Sequence, residues 1–275
     1  MTCNGSSVEA FLLSWWAFMM RNAYIIGLMV LMAACVKKPV PESPGGIVPG
    51  EQGGSVNFVV NHVAGNQPLE LDTRWYLTEN NDSVKFSVFN YYLSNFIFVN
   101  ENGKEYKQPE SYYLVKENKQ ESKSFKATGI PAGKYKQLRL LIGVDSARNV
   151  SGAQTGALDP VNNMFWDWNT GYIMLMIEGR SPQSEMVEDM IAFHFGGFKQ
   201  KNSAIREVTL NFPEPLVVTD GGSSSVIIET DILQCFKTPN LIDIKSLTAF
   251  LNIGGGLNAK MADNYIDMMT VTDVE

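Results

Sequence analysis

Apolar and polar residues alternate with a period of two through most of this chain. Over residues 55–63, Val56, Phe58, Val60 and His62 share one parity, and in a strand one parity is one face. That face is apolar until its last member. The His62 imidazole therefore sits at the rim of the interior, where it needs a hydrogen-bond partner or a metal. Over 83–99, Val84, Phe86 and Val88 alternate against Lys85 and Ser87, and the run then becomes dense in aromatics. This predicts one long strand bent or bulged near Asn90, or two strands. Asn102-Gly103 marks a tight turn, 112–116 a short strand, and Pro131 with Gly133 another turn. Leu138, Leu140 and Ile142 alternate with Gln137, Arg139 and Leu141, a half-buried strand, and 146–163 is a long polar loop. Residues 172–177 are apolar without a break, which predicts a strand buried on both faces. Ile191, Phe193 and Phe195 share a face and His194 points to the other. Val208, Leu210 and Phe212 alternate, and 224–230 is a further strand. About eight to ten short strands at this spacing predict an all-β fold, an antiparallel β-sandwich of the immunoglobulin-like or jelly-roll type. One or two short helices are expected within 239–270, most clearly over 264–269.

The N-terminus breaks this rhythm. Arg21 precedes an uncharged apolar run over 23–34 that ends Ala33-Ala34-Cys35. A basic residue, a short apolar core and small residues before a cleavage point are the parts of a secretory signal. The cysteine directly after the small pair resembles a bacterial lipoprotein signal. The resemblance implies cleavage after residue 34 and lipid on Cys35, with Met20 as an alternative start. Val36, where inner-membrane retention favours Asp, implies the outer membrane. Residues 35–54, rich in Pro, Gly and Ser, read as a tether, and residues 55–275 as the folded domain. With 275 residues, 45% of them hydrophobic, a sizeable core is available. A net charge of −7 gives no basic footprint for nucleic acid.

The chemistry available is narrow. Phosphate-binding, dinucleotide, HExxH, CxxC and Gly-x-Ser-x-Gly motifs do not occur. The two histidines, His62 and His194, belong to no local ligand pair. Each suits a satisfied structural role or a ligand role. Two neutral imidazoles with one soft or neutral third group suffice for copper(I). Glu185, Glu188 and Asp189 form an acidic patch that suits calcium by ligand type but lacks the spacing of a calcium loop. Cys235, in an apolar run, reads as a small core residue. Trp166 and Trp168 stand two apart before an Asn169-Thr170-Gly171 turn. They are either core or, with Trp75, an aromatic platform for a glycan.

Several separated segments fall into one pattern: FVVNHVAGNQPL at 58–69, YYLSN at 91–95, IPAGKY at 130–135, IGVD at 142–145, ALDP at 157–160, MFWDWNTGY at 164–172, Glu178-Gly179, His194-Phe195-Gly196 and Asp263-Asn264. In these the chain resembles the MbnP-like family, extracytoplasmic proteins associated with methanobactin-type copper operons. The resemblance implies a β-sandwich that binds copper, with His62 and His194 at motif positions. On this reading a third group would come from the Trp166/Trp168 region, with Met164 as another soft donor. The resemblance also implies a tryptophan, Trp166 or Trp168, oxidised to kynurenine by a partner di-haem peroxidase. The expectation is a lipid-anchored envelope protein that stores or hands over copper and is not an enzyme. The alternatives are a surface glycan-binding lipoprotein and a purely structural accessory subunit.

Overall fold

The aromatic and β-branched alternation builds two sheets. A computed structural model describes residues 53–152, 154–167, 170–199, 203–246, 251–253 and 256–275. The expected signal, the lipidated Cys35, the tether through residue 52 and Trp168 lie outside these residues, and Gly54, expected in the tether, already opens β1. The smaller sheet contains β1 (Gly54–Ala64), β2 (Gln67–Pro68), β7 (Ser124–Ile130), β13 (Ser223–Asp231) and β15 (Met269–Val274). The larger contains β3 (Tyr76–Leu77), β4 (Ser83–Asn100), β5 (Glu105–Lys107), β6 (Tyr112–Lys116), β8 (Gly133–Ile142), β9 (Phe165–Asp167), β10 (Gly171–Arg180), β11 (Met190–Gly196), β12 (Arg206–Val218) and β14 (Leu251–Ile253). The all-β sandwich predicted from alternation is what forms. Most pairs are antiparallel, while β1–β13 and β11–β14 run parallel.

The inner faces meet through large side chains. Phe58 on β1 packs edge-on against Phe96 on β4 at 5.4 Å and stacks on Phe125 of β7 at 5.2 Å. Phe58, Phe96, Tyr91 and Phe195 are fully buried, each contributing roughly 1.5–3 kcal/mol by leaving water. The 18-residue β4 is the spine of the larger sheet. It pairs with β10 along its first half and with β8 along its second. Its register against β10 shifts between Phe86 and Val88, three residues before the bend predicted near Asn90. A second irregularity lies between Ser94 and Ile97. The first shift flips the parity, so Val84 and Phe86 face inward before it, and Phe89 and Tyr91 after it.

Two segments differ from expectation. The polar loop over 146–163 carries a short helix, Ser146–Asn149, because the Asp145 carboxylate accepts from the Ala147 and Arg148 backbone N–H groups, a standard N-cap. Near the C-terminus the helix spans Gly256–Asn264, earlier than 264–269, and Tyr265–Met268 is a 3-10 turn leading straight into β15.

Candidate metal centre

Strand parity divides the larger sheet into an inner and an outer face. On β11, Phe193 meets Phe236 at 6.0 Å and Phe195 meets Tyr265 at 6.5 Å, both inside. Met190, Ala192, His194 and Gly196 therefore face outward. Cross-strand partners share a face, so the outer face reads in rows. Lys85, Arg180 and Met190 make one row; Val88, Glu178 and Ala192 the next; Asn90, Met176 and His194 the third. The His194 Nε2 lies 2.6 Å from Glu178 Oε1. That bond, opposed by partial burial, holds the Glu178 carboxyl below its ordinary value. In the neutral tautomer that gives Nε2–H to the carboxylate, Nδ1 would carry the lone pair, and it makes no hydrogen bond with a described residue. A carboxylate holding one ring nitrogen and leaving the other open is the usual arrangement behind a metal-ligating histidine.

Trp166 completes this end of the face. A Cβ placed on Gly196 would lie 2.0 Å from Trp166 Cζ3, so the edge of the indole meets the Gly196 backbone, two residues beyond His194. Only glycine permits this approach. The hairpin carrying Trp166 is held from below by Asn149, which is buried. Its Oδ1 accepts from the Tyr172 N–H at 2.9 Å, and its Nδ2 donates to the Val144 and Asp145 carbonyls at 2.7 and 3.0 Å. Gly171, at φ +78, leaves room for this carboxamide, which stands 2.1 Å from where a Cβ would be. Phe165 turns the other way and packs on Tyr172 at 4.9 Å.

His62 is in a different place. It projects from β1 into the sandwich, between Phe89 and Tyr91 of β4, with ring centroids 4.9 and 5.5 Å away. Its Nδ1 is 2.6 Å from Glu117 Oε2 and its Nε2 is 2.8 Å from the Tyr91 hydroxyl. That hydroxyl is also 3.2 Å from Thr230 Oγ1. Glu117 is in turn bound by Lys123 at 2.8 Å. Burial lowers the His62 pKa, outweighing the Glu117 hydrogen bond that would raise it. Burial alone would raise the Glu117 carboxyl; the bonds from His62 and Lys123 overcome it and hold the group low. The result is a buried neutral imidazole with both ring nitrogens already engaged, Nδ1 by Glu117 and Nε2 by the Tyr91 hydroxyl, so neither is free for a metal.

These placements correct the two-imidazole reading. His62 and His194 lie on opposite sides of the larger sheet and cannot share an ion. Met164, proposed as a soft donor, is fully buried in the core, so its thioether is a packing group. Met176 is also buried, 8% exposed, but has the outward parity of β10 and is the thioether that stands directly across from His194. No group of three or more His, Cys, Asp or Glu converges among the described residues, and that includes the 185–189 acidic patch considered for calcium. Glu188 of that patch pairs with Arg180 at 3.2 Å. Cys235 is buried, with burial pushing its thiol far up, as expected of a core cysteine. Trp75 is 48% exposed, with the Lys85 ammonium 5.2 Å from its ring centroid. It belongs to the Lys85 end of the outer face, and Trp166 to the Gly196 end. Six residues of β11 separate those ends, about 20 Å, so the two indoles do not make one sugar-stacking platform. Sequence reasoning singled out neither Glu117 nor Met176, and placed Glu178 in the family pattern without a role at the site. Glu178 and Met176 were hidden inside or beside an apolar run, and Glu117 in a loop-end position with no pattern.

No curated protein matches the chain. Among solved structures, MbnP from Methylosinus trichosporium is similar, with a TM-score of 0.46 and 14% identity over 75% of this chain and 82% of that one. The MbnP family model matches residues 53–252, well over half of the chain, and the chain belongs to the MbnP family.

Proposed function

We propose that this protein binds copper(I) on the outer face of its larger sheet, with His194 Nδ1 and the Met176 thioether as protein donors and Trp166 beside them. The observation that carries the reading is the single row in which an imidazole with an open nitrogen stands across from a thioether. Imidazole and thioether together suit a soft monovalent copper ion better than a hard cation. Glu178 would orient the ring and raise its basicity. Oxidation of Trp166 to kynurenine by a partner di-haem peroxidase would turn an apolar ring at this site into one with donor atoms. The protein acts as a carrier that stores or hands over copper and not as an enzyme, held at the outer membrane through lipid on Cys35. The family's association with methanobactin-type copper operons, drawn from the motif resemblance, supports the choice of metal.

The test is competition between purified full-length protein and a copper(I) chelator. The wild type should bind about one copper, His194→Ala should lose at least about tenfold in affinity, and Met176→Leu a comparable amount, each tenfold being about 1.4 kcal/mol. His62→Gln should bind as the wild type does. Copper binding indifferent to His194 would sink the reading.

A further inference from the structure

We propose that the cleft next to this face binds a small zwitterion of the α-amino acid class. The cleft has a volume of about 490 Å3 and is bordered by Asp72, Lys85, Ser87, Glu178, Arg180 and Met190. Lys85 and Arg180 are direct cross-strand partners, and like charges placed opposite each other destabilise a strand pair. Neither is neutralised within the cleft. Arg180 turns to Glu188, whose carboxylate is exposed. The Lys85 ammonium rests over Trp75 and makes no ion pair with a described residue. An anionic group beside Lys85 balances the one cation without an ion pair among the described residues, and gains a further charge-assisted hydrogen bond where the solvent-exposed Arg180–Glu188 pair yields to it.

The opposite charge stands one row along. Glu178 uses Oε1 on His194, while its Oε2 has no partner among the described residues. Asp72 reaches the same cleft from the loop before β3, with its backbone N–H fixed to the Phe86 carbonyl at 2.7 Å. Its carboxylate makes no ion pair with a described residue. Arg180 and Glu178 are two residues apart on one strand, about 7 Å between Cα atoms. A carboxylate and an ammonium on one carbon bridge that gap, one end to each row. The 37% exposed Met190, with Ile191 and Ala192, leaves an apolar wall for a side chain. This inference does not rest on copper, although Glu178 borders both places.

Calorimetric titration of the full-length protein with glycine, methionine and glutamate tests it. Free amino acids should bind, and the N-acetyl and methyl-ester forms should each bind at least about tenfold more weakly, as loss of a charge-assisted contact dictates. A Lys85→Ala, Arg180→Ala double variant should lose the binding while its melting temperature stays within a few degrees. No binding of free amino acids would overturn the proposal. So would equal binding of acetate or of the esters, or binding of glucose in their place. The comparison of blocked and free ligands on the wild type stands whether or not the variant folds.

Discussion

Replacing His62 by Gln should flatten the acid limb of the protein's stability. In the folded chain the imidazole is buried and neutral, with burial holding its pKa below the ordinary 6.5. The unfolded chain therefore binds more protons than the folded one at any pH between the depressed value and 6.5. Stability from this group is complete above pH 6.5 and is lost as pH falls, with a slope for one proton of up to about 1.4 kcal/mol per pH unit. Glu117 acts in a lower window. Its folded pKa is also depressed, so its contribution is complete above 4.5 and fades only as pH falls through the folded value. Denaturant unfolding at pH 7.5, 6.5, 6.0 and 5.5 separates the two. Glutamine keeps part of the contact to Glu117 and Tyr91 but does not titrate. The variant should start about 1–3 kcal/mol less stable at pH 7.5, for disturbed hydrogen bonds in a buried site. It should then lose markedly less than the wild type between pH 6.5 and 5.5. Parallel acid limbs in the two proteins would refute the buried, neutral assignment of His62.

Other consequences follow from the Trp166 hairpin. Gly196→Ala places a methyl within the indole, which must be displaced; the cost should be about 1–3 kcal/mol, and tryptophan emission should shift to the red as the ring becomes solvated. An unshifted spectrum at wild-type stability would show that the indole does not lie on Gly196. Asn149→Ala removes three hydrogen bonds to buried backbone, at 2.7 to 3.0 Å. It should cost roughly 2–4 kcal/mol and expose the Gly171 turn to proteolysis, read by limited digestion and thermal melting.

Much of this architecture was legible in the alternation, and the reason is local. Parity along a strand needs no tertiary knowledge, so the inward His62 and the outward His194 could both be read from their neighbours. What parity cannot give is which strands share a sheet. β1 and β13 lie more than a hundred and sixty residues apart, with Val56 opposite Ser224, and nothing local announces a parallel pair. Two histidines on separate strands looked compatible with one ion until the sheet between them was in place. The bulge at Ser87 hid the outer-face rows, because it reverses the parity of β4 midway. Met176 was hidden by its surroundings: a strand with both faces covered shows no period, so a thioether on the ligand side reads as one more core residue. Trp166 stood out by composition, but its seat on Gly196 depends on a register between β9, β10 and β11 that only packing sets.

The proposed copper site has one imidazole and one thioether on the outer face. X-ray absorption at the copper edge of the copper(I)-loaded protein tests it most directly, because nitrogen and sulfur scatter distinguishably. One imidazole and one sulfur neighbour are expected, with the sulfur absent in Met176→Leu and the imidazole absent in His194→Ala. Two imidazoles without sulfur, or a spectrum unchanged in both variants, would contradict it.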